Sequence, residues 1–564
     1  MNTNRLLVFA VSLLLFRFFP VIAQHNTPVL NAMKSEIDRS MMQLAKQSAP
    51  PYYISYGVTE TRTIRMSASF GKIDVEDSSV SRILDIDMRV GDYNVDNTHT
   101  IRGSRFEFGG GGRGIVLPLG NDETALRQAI WLATDRDYKK AVERYGKVKT
   151  NLAVKVKEED SSADFSRETA ETFVESPSYF VFDASAWRER IKRLSSLFSA
   201  DPKIYRGNVY IQADILIKYF VSSEGAAIQT GEPNVRLFAQ GMTKADDGMT
   251  LPIYRSYFAF SPEGLPDERK LAEDIRGTVV LLGKLREAPL AETYTGPAIL
   301  SGESSGVFFH EIFGHRVEGH RQKDPNSSQT FKSFLGKKIL PDFIDVIFDP
   351  TIKTLHGHDI VGYFKYDDEG VKARKVTAVE NGVFRNFLMS RSPVENFPGS
   401  NGHGRRQAGY KSVSRQSNLL VIAHKQEPFD SIKQALRAEC KKQNKEYGLY
   451  FVEISGGFTF TGRTVPNAFN VQPLVVYKIY ADGRPDELVR GVDLIGTPLT
   501  TFNNIIAAAD DLGVFNGVCG AESGGVPVSA SSPSLLVSTI EVQKKQKSQA
   551  KPPLLISPIG AGGE

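Results

Sequence analysis

Apolar residues recur at four-residue spacing near the start of the chain: Val29, Met33, Ile37 and Met41, with Leu44 close behind. That spacing lines one face of a helix. From Tyr52 to about Ile115 the pattern changes to alternation, as in Val80–Val90, which predicts strands with turns at Gly91-Asp92 and Asn97. Asp122–Tyr145 returns to helical spacing, with Leu126, Ile130 and Ala133 on one face. Glu158–Glu175 is acidic and rich in Ser and Thr, so it is expected to be an exposed connection. Trp187, Ile191, Leu194 and Phe198 mark a further amphipathic helix, Asn208–Ile217 alternates, and Leu271, Ile275, Val279 and Leu282 return to a helix.

From about Ala291 the character shifts. Strand-like runs dominate: Phe343–Phe348, Lys375–Val379, Leu419–Ala423, Tyr450–Ile454 and Leu474–Tyr480. Asn381-Gly382 and Asp482-Gly483 are hairpin signals, because both central residues of such a turn need positive φ. One helical stretch, Asp430–Tyr447, buries Ile432, Leu436 and Cys440 on one stripe. The expected fold class is therefore α+β. A mixed α/β N-terminal domain (24–290) is followed by a largely antiparallel β C-terminal domain (291–545) and a tail (546–564). No internal repeat of fixed period is present.

The extreme N-terminus adds a destination. Arg5 precedes the apolar run Leu6–Phe16, and Val21-Ile22-Ala23 offers a cleavage site before Gln24. This is the order of a signal peptide over residues 1–23. The run falls short of the roughly 20 residues that span a bilayer. The mature chain is expected to be exported, periplasmic or secreted, with no membrane segment. Charged residues make up 24% of the chain with a net charge of +4 and no long basic run, which argues against a nucleic-acid partner. Of the two cysteines, Cys440 reads as a small core residue. Cys519 lies in the Gly-rich stretch Asn516–Gly520, read as a tight loop, and is a candidate for reactivity or metal binding. A Cys440–Cys519 disulfide is the remaining alternative. The tetraglycine Gly109–Gly112 lacks the Gly-Lys-Ser/Thr of a phosphate loop and reads as a flexible loop.

The chemistry concentrates in Phe308–His320. Three of the nine histidines, His310, His315 and His320, fall here, with Glu311 directly after the first. Neutral imidazoles suit zinc, and a neighbouring carboxylate can take a proton from water. The spacing is His-Glu-x-x-x-His. On a regular helix, residues i and i+5 point about 140° apart, whereas i and i+4 point about 40° apart. The two histidines can share an ion only if the helix is broken or widened between them, and Gly314 is the permissive residue there. The other reading is a buried helix that carries histidines, since Val307, Phe308, Phe309, Ile312 and Phe313 cover much of its circumference. A charged Glu311 in such a place would then be costly.

Gly306–Gly319, with its His-Glu-x-x-Gly-His core, resembles the TldD branch of the TldD/PmbA family of metallopeptidases. So do Tyr294–Glu303, Asp367-Asp368-Glu369-Gly370, Gly404-Arg405-Arg406, Ser417-Asn418, Gly491–Thr497, Asn516–Gly520, Val526–Ser529 and Pro533–Leu535. The resemblance runs from about 290 to 540, nearly half the chain. It implies a zinc site formed by His310, His315 and Cys519, with Glu311 as catalytic base. Two imidazoles and a thiolate would leave a fourth position for water, as a catalytic zinc requires. It also implies hydrolysis of unfolded or short peptides by paired subunits, either a homodimer or a heterodimer with a related subunit. Two features depart from the family: the signal peptide, and His320, which is read as a surface residue or a neighbour of the ligands. Arg405 and Arg406 are read either as substrate-holding groups or as an exposed basic pair. The substrate-binding residues are unknown at this level. The rival function is a non-catalytic zinc-containing peptide-binding or partner subunit. The family's older description as a modulator of DNA gyrase is a second rival, opposed by the expected export and by the diffuse charge.

Overall fold

The computed structural model describes residues 27–101, 114–154 and 160–545, apart from 325, 460, 463–468 and 497, together with 551–553, 555 and 558 of the tail. The expected signal segment (1–23) and the tetraglycine Gly109–Gly112 lie outside the described residues.

The N-terminal half is built on one antiparallel sheet of long strands. Its order runs Ile115–Val116, Lys72–Val90, Pro51–Ser69, Arg206–Ser222, Ala227–Lys244. Thr250–Ala259 and the short parallel strand Thr172–Val174 both pair with Ala227–Lys244. The first two long strands form a single hairpin through Phe70 (φ 47°) and Gly71 (φ 86°). The pattern did not signal this turn, because Phe carries no turn propensity. The glycine supplies the second positive φ that such a two-residue turn demands.

Alternation decides which way this sheet faces. Ile54, Tyr56, Val58 and Met66 of one strand, Leu84 and Met88 of the next, and Val209, Ile211, Ile215 and Ile217 of a third are buried on one face. Four helices cover that face: Pro28–Leu44, Glu123–Leu152, Ala184–Ser196 and Glu268–Glu287. Three of them start at an aspartate whose carboxylate accepts a backbone N–H of the first turn: Asp122 from Ala125 (2.7 Å), Asp183 from Ala186 (3.0 Å) and Asp267 from Lys270 (2.8 Å). The residues of opposite parity meet the C-terminal half. Lys218 pairs with Asp368 at 3.0 Å, Asp85 pairs with Arg406, and Arg236 donates to the Asn516 carbonyl at 3.0 Å.

The C-terminal half contains two sheets. In the first, pairing runs Tyr447–Thr459, Tyr294–Leu300, Leu535–Lys544, Val492–Gly496, Phe469–Tyr480 and back to Tyr447–Thr459, so the path closes on itself. The second runs Val383–Phe384, Val376–Glu380, Ile344–Phe348, Asn418–Ala423, Gly524–Ser532, Gly513–Ala521. Pairing is antiparallel except for Asn418–Ala423 with Gly524–Ser532 and Tyr294–Leu300 with Tyr447–Thr459. The chain is thus α+β, with a mixed N-terminal half and a largely antiparallel β C-terminal half. Asn381 and Gly382 both take positive φ in their hairpin. Helix Phe429–Lys442 packs Ile432, Leu436 and Cys440 against the closed sheet, and both cysteines are free thiols. Among the described residues no helix is long and apolar enough to cross a membrane.

The expected exposed connection over 158–175 differs from the structure. Asp160, Asp164, Phe165 and Ser166 are buried. Asp164 accepts from the His99 ring at 2.8 Å and lies 3.4 Å from the Lys323 ammonium, while Arg391 from the C-terminal half donates to the Ser166 carbonyl. Polar composition suggested solvent. These polar groups are instead paired between the two halves, a pattern that composition does not reveal.

Candidate metal and catalytic site

Helix Gly302–Ile312 is packed between the closed sheet and the six-stranded sheet. This is why every residue of the helix but Glu303 is buried, His310 and Glu311 among them. The Ser301 hydroxyl accepts the Ser304 N–H at its start. Gly306 lets the helix approach the strand Gly524–Ser532 directly: a Cβ there would lie 2.8 Å from the Ala530 carbonyl oxygen.

The helix stops at Ile312, and the chain continues as a 3-10 turn over Gly314–Arg316. Side chains satisfy the last helical carbonyls, which have no partner within the helix. Gln416 donates to His310 O at 3.2 Å, and the Arg316 guanidinium donates to Glu311 O at 3.1 Å and to Ile312 O at 3.2 Å. Gly314 matters because the Gln416 amide occupies the place a Cβ would take. Ending the helix between the two histidines resolves the i to i+5 problem. His315 stands on the tighter turn, with its ring centroid 5.1 Å from that of His310.

Cys519 joins them from a strand. The Gly-rich loop read from the sequence is the middle of Gly513–Ala521, paired with Gly524–Ser532 in unbroken register. Gly517 makes room for the Phe515 ring, so glycine content here does not signify a loop. Cys519 Sγ lies 3.3 Å from His315 Nε2. The donor atoms of His310, His315 and Cys519 all lie within 4.8 Å of one another. On the far side of His315, Nδ1 lies 3.3 Å from the buried carboxylate of Glu318. Burial opposes charge on the His315 ring, but the Cys519 thiolate and Glu318 beside it raise its pKa well above the usual value. Burial likewise opposes the Cys519 thiolate, but His315 and His310 lower its pKa well below the ordinary thiol range.

Glu311 follows His310 on the helix, and among the described residues no hydrogen bond reaches its carboxylate. Its Cγ lies against Gly457 of the strand Tyr447–Thr459, where a Cβ would stand 3.0 Å away. His320 turns away from the three donors and pairs with Glu522. Arg405 is buried, donating to the carbonyls of Gln416 (2.5 Å) and Pro527 (2.8 Å) over the Phe364 ring, and Arg406 pairs with Asp85. Neither forms an exposed basic pair, and both hold structure together.

Sequence reasoning missed Glu318, Arg415 and Gln416. Glu318 lies three residues after His315, so a local signal existed. Arg415 and Gln416 arrive from a segment far along the chain, and only folding places them here.

The residues fit a zinc ion on three counts. The donor set of two imidazoles and a thiolate is one that zinc favours. A tetrahedral centre with ordinary bond lengths separates its N and S ligands by about 3.6 Å, close to the observed 3.3 Å. Nδ1 of His310 is buried without a hydrogen-bond partner. A second group, Glu318, His320 and Glu522, also lies close together, but Arg321 already bridges its two carboxylates at 2.9 and 3.0 Å and supplies the positive charge.

Comparison with known proteins adds a lineage. Residues 293–544 match the PmbA/TldA metallopeptidase C-terminal domain. The chain is similar to a metalloprotease of Archaeoglobus fulgidus, 32% identical over 46% of this chain and 55% of that one. It is also similar to a zinc metalloprotease TldD homolog of Saccharolobus solfataricus, 25% identical over 44% of this chain and 51% of that one. The match therefore spans about half the length of these curated relatives. The solved structure of TldE from Thermococcus kodakarensis superposes with a TM-score of 0.55 at 12% identity, covering 91% of this chain and 100% of that one, and so shares the fold.

Proposed function

The chain belongs, through residues 293–544, to the TldD/PmbA family, and from that premise we propose that it is a zinc-dependent peptidase acting on unfolded or short peptides. The observation that carries this reading is the convergence of His310, His315 and Cys519 from distant segments, with Glu311 beside them. The zinc metalloprotease relative supports the choice of ion.

His310, His315 and Cys519 would hold the zinc. When bound, the ion supplies Lewis acidity that acidifies water and polarises a peptide carbonyl. Glu311 takes the proton from the attacking water and delivers it to the departing amine. The helix fixes Glu311 one residue from His310, and the missing Cβ of Gly457 leaves room for its side chain. Strand Gly513–Ala521, which carries Cys519, is paired on one side only among the described strands. Arg236 already occupies the carbonyl at Asn516, but an extended peptide adding to the edge at the exposed Val518 and Gly520 would lie alongside the donors, recognised through its backbone more than its side chains. That mode suits substrates of varied sequence.

Export through residues 1–23 and assembly with itself or with a related subunit complete the proposal. The likeness to TldE motivates the second partner. The decisive experiment is metal analysis of the purified protein together with peptide digestion, with and without chelator. Glu311→Gln is expected to retain one zinc per chain and lose cleavage by about 10²- to 10⁴-fold. Undiminished cleavage in that variant removes Glu311 from the mechanism. Bound zinc with no cleavage by the wild-type protein favours the non-catalytic partner subunit.

A further inference from the structure

Arg415 is fully buried, as is Glu318. Such charges are retained only where partners compensate them. The partners here belong to the donor cluster. Arg415 Nη2 donates to the Cys519 carbonyl at 2.7 Å and to Cys519 Sγ at 3.2 Å. Nη1 donates to Ser523 Oγ at 2.7 Å and to the Gly524 carbonyl at 3.1 Å, across the hairpin from Cys519. Nε lies 3.3 Å from Glu318 Oε1. The other Glu318 oxygen faces His315 Nδ1 at 3.3 Å and accepts from Arg321 at 2.9 Å. The contacts close a ring: Cys519, Arg415, Glu318, His315, and back to Cys519 through Sγ and Nε2 at 3.3 Å.

Resting on the zinc reading above, we infer that Arg415 and Glu318 are positioning residues for the metal: Glu318 holds the His315 ring with Nε2 turned to the ion, and Arg415 fixes the thiolate of Cys519 and withdraws charge from its sulfur. A carboxylate on the second nitrogen sets the tautomer and orientation of a ligating imidazole. One nitrogen of the rigid guanidinium, Nη2, grips both the carbonyl and the sulfur of Cys519, which sets its rotamer, while Nη1 and Nε hold Ser523, Gly524 and Glu318. A lysine offers a single nitrogen on a flexible stem and cannot reach all of these partners at once. A hydrogen bond to the sulfur also reduces the charge it gives the ion, leaving the ion a stronger Lewis acid. The backbone of the hairpin, held by the same side chain at Ser523 and Gly524, ties the position of Cys519 to the rest of the loop.

Cobalt(II) is the probe, because a Co–thiolate bond gives a near-ultraviolet charge-transfer band that reports on charge at the sulfur. The full-length protein and its R415K, R415Q, E318Q and C519S variants are loaded with cobalt, and affinity is measured by chelator competition. Wild type is expected to show the band and C519S to lack it. R415K and R415Q are expected to bind about 10- to 100-fold more weakly, the usual cost of removing such outer partners, with the band displaced. E318Q is expected to weaken binding with the band retained near its wild-type position, because it acts through His315 and leaves the sulfur contact intact. R415K retains the buried charge, so it remains informative if R415Q does not fold. Affinities within threefold of wild type in both R415K and E318Q, with an unmoved band in R415K, would overturn the inference while leaving the zinc reading intact. A wild-type protein that takes up no cobalt, or a C519S variant that keeps the band, overturns the zinc reading and this inference with it.

Discussion

The tightest test of how the fold builds this site is the same substitution at two helical glycines. Gly306 and Gly277 both sit inside helices, Gly302–Ile312 and Glu268–Glu287. At Gly277 a Cβ would meet nothing within 4 Å, so Gly277→Ala should gain about 1 kcal/mol from helix propensity alone. At Gly306 it would stand 2.8 Å from the Ala530 oxygen and 3.0 Å from the carbonyl carbon, both backbone atoms that cannot swing aside. Relief requires the helix to back off the strand by about 0.5 Å to reach ordinary contact. Overpacking of this kind costs about 1–3 kcal/mol, which the propensity gain offsets only in part. Gly306→Ala should therefore be destabilised, by as much as about 2 kcal/mol. The strand it pushes against carries the hairpin partner of Cys519, and His310 lies one turn further along the helix. A shift of about 0.5 Å is enough to spoil a preorganised site. Thermal unfolding by circular dichroism and zinc competition with a chelator measure both effects. Gly277→Ala should melt higher with unchanged zinc affinity, and Gly306→Ala should melt lower with weakened zinc binding. A Gly306→Ala protein as stable as wild type, with the same zinc affinity, would refute the reasoning.

Two further outcomes can be checked. Burial, assisted by Arg405, pushes the His403 imidazolium down to about 3. The unfolded chain then binds a proton that the folded state refuses, so stability is full above about pH 6.5 and is lost as the pH falls towards 3, amounting to about 3 kcal/mol at pH 4.5. His403→Gln should flatten that acid limb of the urea-denaturation profile, and an unchanged limb would exclude the assignment. Arg391 bridges the two halves, paired with Glu224 at 2.7 Å and lying 3.9 Å from the Phe165 ring centroid. Arg391→Ala leaves Glu224 with only the Tyr93 hydroxyl and should cost about 1.5–3 kcal/mol, seen in calorimetry as separation of one transition into two; a single unshifted transition would contradict the role.

Much of the site was legible because it is local. His310, Glu311 and His315 fall within six residues, so imidazole and carboxylate chemistry could be read directly, and helix geometry required a break near Gly314. The structure has that break, as a helix end followed by a 3-10 turn. The reason for the glycine was not legible: it makes room for Gln416, a residue from another element. Cys519 carries only a weak local signal, and its glycine neighbours suggest a loop because glycines imply flexibility when their partners are unseen. The acidic stretch before Glu175 suggests solvent for a similar reason.

Periodicity along the chain determined the α+β class, the presence of five helices and the strand character of the second half, since burial on one face imposes period 3.6 or 2 wherever it occurs; their ends it did not fix, for the helix read over 122–145 runs on to Leu152 and the one read over 430–447 stops at Lys442. Tertiary structure alone decided that the motif helix lies between two sheets, that an edge strand brings a thiol to the two imidazoles, and that Arg415 and Glu318 surround them. Local pattern records how each segment meets the interior. It does not record which distant segment it meets there, because that contact is set by strand pairing and packing across hundreds of residues.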